Sequence, residues 1–196
     1  MPVRDEAYMQ KQKQRIMEAA FRCFSRQGFQ KTSLRSICKE ANLAVGTFYV
    51  HFKDRSEILA AMKSMASSKP LKDIRFSRWS EFVDHLTSMI DFQKNPDSVK
   101  YVVCDLKLAA EALGNEELAT LFRQSSMEMQ AWMKKCLAQF VESGDIELPL
   151  GIDTTARALR CLINGMITSQ LFEEPGERGN LTEDFNQVLN RLVRAN

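Results

Sequence analysis

Residues 32–55 read TSLRSICKEANLAVGTFYVHFKDR, and their spacing predicts two short helices separated by a tight turn. Thr32 or Ser33 can cap the first, because a hydroxyl there accepts from a backbone N–H that has no partner inside the helix. Leu34, Ile37, Cys38 and Ala41 then fall at i, i+3, i+4 and i+7, a single apolar stripe. Asn42 tolerates the left-handed conformation that a sharp turn requires, and Leu43 points back toward the core. The second helix runs from about Val45 to Phe52. Phe48 and Phe52, four apart, share a face and should anchor that helix against Leu34 and Ile37. Its other side carries Val45, Gly46, Thr47, Tyr49 and His51, and the last three have no apolar reason to be there.

Two short helices joined in this way form a helix-turn-helix, and the second is the candidate DNA reader. Hydroxyl and imidazole groups bind phosphate oxygens, and Gly46 lets backbone and duplex approach closely. Lys53 and Arg55 add cationic charge beside the same surface. The charge distribution agrees. Residues 1–65 hold twelve Lys/Arg and six Asp/Glu, a balance of +6, whereas the remainder holds 15 and 19, a balance of −4. A basic N-terminal third joined to an acidic remainder points to a polyanion met by the first part alone.

Outward from this segment, helical periodicity dominates and nothing reads convincingly as a strand. The expected fold is all-α. A first helix covers about 9–27, closed by Gly28, and Asp54 opens a fourth with Glu57 placed for a capping-box-like arrangement. That helix, 54–67, ends at SSKP. It connects an N-terminal three-helix domain, 1–53, to a larger helical domain, 54–196. NPD at 95–97 and EEPGERGN at 173–180 are further breaks, DIELPLGI is a loop, and Asp153 or Thr154 caps the next helix. The final two helices span about 153–172 and 182–194.

The five cysteines are widely spaced without a CxxC pair, which favours reduced, buried thiols. With two histidines in the chain, a multi-histidine metal site is excluded. No apolar run approaches the roughly 18 residues needed to span a bilayer, and the N-terminus lacks the apolar stretch of a secretory signal. A cytosolic protein without membrane contact is the expectation. There is no nucleophile–base pair, phosphate loop or metal spacing, so neither an enzyme nor a cofactor is expected.

The stretch KTSLRSICKEANLAVGTFYVHFKDRSEIL resembles the DNA-binding domain of TetR-family transcriptional regulators, which commonly read T-T-x-x-x-I-A-x-x-A-G-V-S-x-G-T-x-Y-x-x-F-x-x-K-x-x-L. The preceding IMEAAFRCFSRQGF is similar to that family's first helix and its closing glycine–aromatic pair. The resemblance covers about residues 14–60. It implies that Thr47 and Tyr49 contact the DNA backbone, that His51 contacts a phosphate, and that Ser33 lies at a hydroxyl position entering the second helix. Arg55 stands where lysine is usual. Three further departures are Asn42 for the turn glycine, Ala44 for a capping serine, and Val45 where lysine is common. Val45 suits a thymine methyl rather than a hydrogen-bond acceptor.

The resemblance also implies a small molecule bound in the C-terminal domain and a homodimer formed through helices 153–172 and 182–194. Candidate apolar lining residues are Phe82, Leu86, Met89, Tyr101, Leu108 and Met129, with Trp132 and Met133. Candidate orienting groups are His85, Asp105, Asn164 and Gln170. The expected activity is a ligand-responsive repressor that binds a palindromic operator as a dimer and is released by a small, mostly hydrophobic effector. The alternative is a DNA-binding regulator or architectural protein with no small-molecule input, controlled by a protein partner.

Overall fold

The computed structural model describes residues 5–65, 74–92, 98–174 and 179–195. Among them the chain forms α1 (Glu6–Gln27), α2 (Leu34–Glu40), α3 (Val45–His51), α4 (Arg55–Met65) and α5 (Trp79–Ile90). There follow α6 (Ser98–Ala112), α7 (Glu116–Glu142), β1 (Ile146–Glu147), α8 (Gly151–Ser169), α9 (Leu181–Leu192) and β2 (Arg194–Ala195). The all-α expectation holds. The exception is a two-residue antiparallel pairing that the sequence did not signal, Ile146 opposite Ala195 and Glu147 opposite Arg194. Two residues are too few for a period-2 pattern to show. The expected breaks at 67–70 and 95–97 lie outside the described residues, as does the end of the connecting helix beyond Met65.

The chain divides into two compact units. The first comprises Met1–Pro70 with Val103–Ser125, and the second Leu71–Val102 with Ser126–Asn196. α6 and α7 therefore each place residues in both.

In the first unit, α1 begins one turn earlier than its apolar pattern, because the Asp5 side chain accepts from Ala7 N at 3.2 Å. Gly28, at φ 78°, closes the helix by donating to Phe24 O at 2.9 Å. Ser33, rather than Thr32, caps α2: its Oγ accepts from Ser36 N at 3.0 Å. Thr32 is buried and donates to Gly28 O instead. Arg22 and Arg26 of α1 bond the Glu40 carboxylate of α2 at 2.7 and 3.3 Å and hold it below its ordinary range. The core gathers Phe24, Phe29, Ile37, Phe48 and Phe52 with Cys104, Leu108 and Leu118 from α6 and α7. Leu34 packs against it, as the stripe predicts. At the start of α4, Asp54 Oδ1 accepts from Glu57 N, and Glu57 reaches back to Lys53 N at 2.7 Å.

The second unit is built around Phe82, Leu86, Trp132, Phe140, Leu159, Ile163, Phe185 and Leu189. Gln170 is buried there, and its Nε2 donates to Ile90 O at 2.7 Å and Met166 O at 2.9 Å. It closes helix ends rather than standing ready for a ligand. α8 starts at Gly151, so neither Asp153 nor Thr154 is its cap; Asp153 lies in the first turn and pairs with Lys134 at 2.5 Å. α9 is capped by Asn180, which accepts from Glu183 N. Cys23, Cys38, Cys104 and Cys136 are buried thiols, and burial pushes Cys136 up to about 11. Cys161 departs from the expectation: it is a free thiol exposed on the side of α8 away from Leu159 and Ile163.

Candidate nucleic-acid interface

α3 is fixed by the turn before it and by the two phenylalanines on its inner face. Asn42 sits at φ 51°, the conformation that lets Leu43 N reach Cys38 O at 2.9 Å and Asn42 N reach Lys39 O at 3.1 Å. Ala44 supplies no side-chain cap, as its methyl dictates. Phe48 and Phe52 are buried, with ring centroids 6.0 Å apart. With that side anchored, the opposite side must face out. Tyr49 is 60% exposed, Val50 52% and Val45 40%. Gly46 is exposed too, and a Cβ built on it would meet none of the described residues within 4 Å. Packing among the described residues does not require that glycine.

The other candidates divide. Thr47 is half-buried, and Ser33 and Lys53 are exposed. His51 is half-buried with Nε2 enclosed, so it does not stand fully outward beside Tyr49. It follows Phe48 by three positions, which returns it to within about 60° of the anchored face on a helix of 3.6 residues per turn. Arg55 is turned to the protein. Its Nη1 donates to Phe29 O at 2.8 Å, Gln30 O at 3.3 Å and Thr32 O at 2.7 Å, and its guanidinium carbon lies 4.3 Å from the centroid of the Phe29 ring.

Sequence reasoning passed over three residues. Val50 lies about 200° from Phe48 on the helix and is therefore among the most outward positions; a helical wheel would have found it. Arg15 and Lys13 of α1 flank the turn and the reading helix: Arg15 Nη2 donates to Asn42 O at 3.5 Å, and Lys13 Nζ lies 5.7 Å from the Phe52 ring centroid. Only the basic balance of residues 1–65 hinted at them.

The candidate effector residues are brought together only in part. Phe82, Leu86, Trp132 and Met133 belong to the second unit's core, with Met89 and Met129 packed against it. Leu108 belongs to the first unit's core, and Asp105 is exposed in that same unit. Tyr101 and Asn164 are exposed. His85 lies in an aromatic cluster, its ring centroid 5.3 Å from Phe76 and 5.8 Å from Trp132. Burial holds its imidazole below the ordinary range. Enclosed in that cluster, His85 Nε2 and Trp132 Nε1 have no hydrogen-bond partner among the described residues.

Comparison with known proteins adds to this geometry. Residues 16–62 match the model of the bacterial regulatory proteins of the tetR family. The chain is 21% identical over 183 residues to the HTH-type transcriptional regulator UidR of Escherichia coli K12, covering 92% of each. A TetR transcription regulator from Haloarcula marismortui superposes with a TM-score of 0.68 at 16% identity, covering 94% of this chain and 100% of that one. FadR of Bacillus subtilis, solved in complex with stearoyl-CoA, superposes at 0.57 with 20% identity over 92% and 97%. The matched segment contains the helix-turn-helix described above, so over residues 16–62 the chain carries a DNA-binding domain similar to those of the tetR family of bacterial regulatory proteins.

Proposed function

We propose that the protein is a ligand-responsive repressor that binds a palindromic operator as a homodimer and leaves it when a small, mostly apolar effector binds. The observation that carries the DNA half is the two-sided α3. Its phenylalanines are buried while Val45, Gly46, Tyr49 and Val50 project from a turn fixed by Asn42. Tyr49 and Thr47 donate to phosphates, Val45 and Val50 offer apolar contact to thymine methyls, and Lys53 and Arg15 supply charge. The DNA-binding domain is residues 1–53, and the rest of the chain serves effector binding and dimerisation.

The effector half rests on the aromatic cluster of the second unit. An indole N–H left without a partner in an apolar enclosure costs roughly 1–3 kcal/mol, and an oxygen-bearing apolar ligand would recover it. The Trp132 N–H can only donate, and His85 is kept neutral, so the favoured effector is uncharged and carries a carbonyl or hydroxyl. The enclosed aromatic rings would supply its apolar contact. Dimerisation uses the sides of α8 and α9 that the core leaves open. Leu159, Ile163, Phe185 and Leu189 are spent on intrachain packing, while Gly165 and Val188 are exposed.

Effector binding shifts the population between a dimer whose reading helices match the operator and one whose spacing is wrong, in proportion to its differential affinity for the two. Repression follows from occupancy alone. The test is selection of bound duplexes from a random pool, followed by challenge with uncharged apolar and cationic compounds. A palindromic consensus whose complex is dissolved by an uncharged oxygen-bearing compound is expected. Recovery of only non-palindromic duplexes, or a complex indifferent to every compound, counts against the dimeric and the ligand-responsive parts respectively.

A further inference from the structure

The loop between α1 and α2 is gripped from both edges by charged side chains remote in sequence. The Glu111 carboxylate, on the last turn of α6, accepts from Phe29 N at 2.8 Å and from Gln30 N at 2.5 Å. A Cβ on Gly28 would lie 2.7 Å from Glu111 Oε2, so the bare, positive-φ glycine is what admits the carboxylate to the loop. From the other edge, Arg55 takes the carbonyls of Phe29, Gln30 and Thr32. Lys107, one turn before Glu111, reaches Ser25 O at 3.4 Å, and Ser56 of α4 donates to the Glu117 carboxylate of α7. The loop runs directly into Ser33 and α2, whose buried face packs in one core with Phe48 of α3.

We propose that Glu111 is a positioning residue for DNA reading. It fixes the 28–32 loop, and through it the placement of α2 and α3, and so makes the reading surface responsive to α6. This rests on the DNA reading of α3 given above. A carboxylate that accepts two consecutive amides fixes the backbone more tightly than one contact would, because both N–H vectors must converge on it. α6 is a continuous helix whose first residues, Ser98–Val102, belong to the second unit. An axial or rotational shift of that helix therefore changes the position of Glu111. When the grip is lost, the loop samples other geometries, and apparent affinity falls by the fraction of time the competent one is populated.

The experiment compares the parent chain with Glu111→Ala and Glu111→Gln. Affinity for the duplex recovered from the random pool is measured across a salt series and corrected for the folded fraction. Amide hydrogen exchange is followed at Phe29 and Gln30. Expected is a tenfold or greater loss for Glu111→Ala with faster exchange at both amides, and a smaller loss, threefold or more, for Glu111→Gln, which keeps one acceptor oxygen. The salt dependence should keep its slope, because Glu111 displaces no counterion. A role confined to stability would lower the melting temperature and leave affinity per folded molecule intact. Should Glu111→Ala fail to fold, Glu111→Gln decides the matter on the same threshold. Variants that bind within threefold of the parent, or more tightly, overturn the role of Glu111 alone. A parent that binds no duplex overturns the DNA reading and this role with it.

Discussion

The Tyr49 ring stands edge-on to that of Phe48, with centroids 5.6 Å apart and planes at 84°. One ring is sealed in the core and its neighbour is largely exposed, so the contact stiffens Tyr49 while leaving its hydroxyl free to donate outward. Replacing Tyr49 by Phe keeps the ring contact and removes only the hydroxyl. Affinity for the operator should fall about two- to tenfold, the equivalent of one hydrogen bond of roughly 0.5–1.5 kcal/mol. The melting temperature should stay put. Fluorescence anisotropy with a labelled duplex and a thermal melt read the two quantities, and unchanged affinity would remove the hydroxyl from the interface.

Gly46 separates stability from binding with a single methyl group. It lies inside α3 with ordinary negative φ and open space where a Cβ would go. Gly46→Ala should therefore stabilise the free protein, by up to about 1 kcal/mol from helix propensity. If duplex backbone packs against that position, the same methyl group should weaken operator binding. A variant that melts higher and binds as well as the parent would show that DNA does not approach there.

Lys53 and Arg55 look interchangeable in sequence and differ in what they touch. Lys53→Ala should leave the melting temperature nearly unchanged and reduce the slope of log affinity against log salt by about 0.9, one phosphate contact. Arg55→Ala should do the reverse, since it strips a charged donor from the loop carbonyls. A loss of roughly 1.5–3 kcal/mol of stability is expected, seen as a lower denaturant midpoint, with the salt slope kept. An Arg55→Ala variant of parental stability and reduced slope would return Arg55 to the DNA.

These contrasts show where sequence reading ran out. The helix-turn-helix was legible because its signals are local: an apolar stripe at 34, 37, 38 and 41, a turn residue at 42, two phenylalanines four apart. The partners of Arg55 are backbone carbonyls 23 to 26 positions away, and those of Glu111 are amides 81 and 82 positions away. Nearly every residue has such groups, so no side-chain pattern announces them. Leu108 fits an apolar stripe equally well in either core, and only the course of α6 through both units assigns it to the first. The polarity of His51 suggests an outward position, but its helical angle sets it near Phe48.

Burial of His85 gives the second unit a pH dependence of definite sign. Its folded-state pKa lies below the ordinary 6.5 because desolvation disfavours the imidazolium. The unfolded chain therefore binds more protons as pH falls through that value, and stability drops with it. The contribution is fully present above about pH 6.5, the unfolded value, and diminishes progressively toward the lower folded value. Urea midpoints taken from pH 7.5 down to 5.5 should decline in the parent. The decline should be shallower in His85→Phe, which keeps a ring in the cluster and cannot take a proton. The substitution leaves every other ionisable group in place, so the difference between the two curves isolates His85. Parallel curves would mean that the imidazole charges without cost in the folded state. In that case the aromatic enclosure around Trp132 would be open to water, and its preference for an uncharged effector would lose its physical basis.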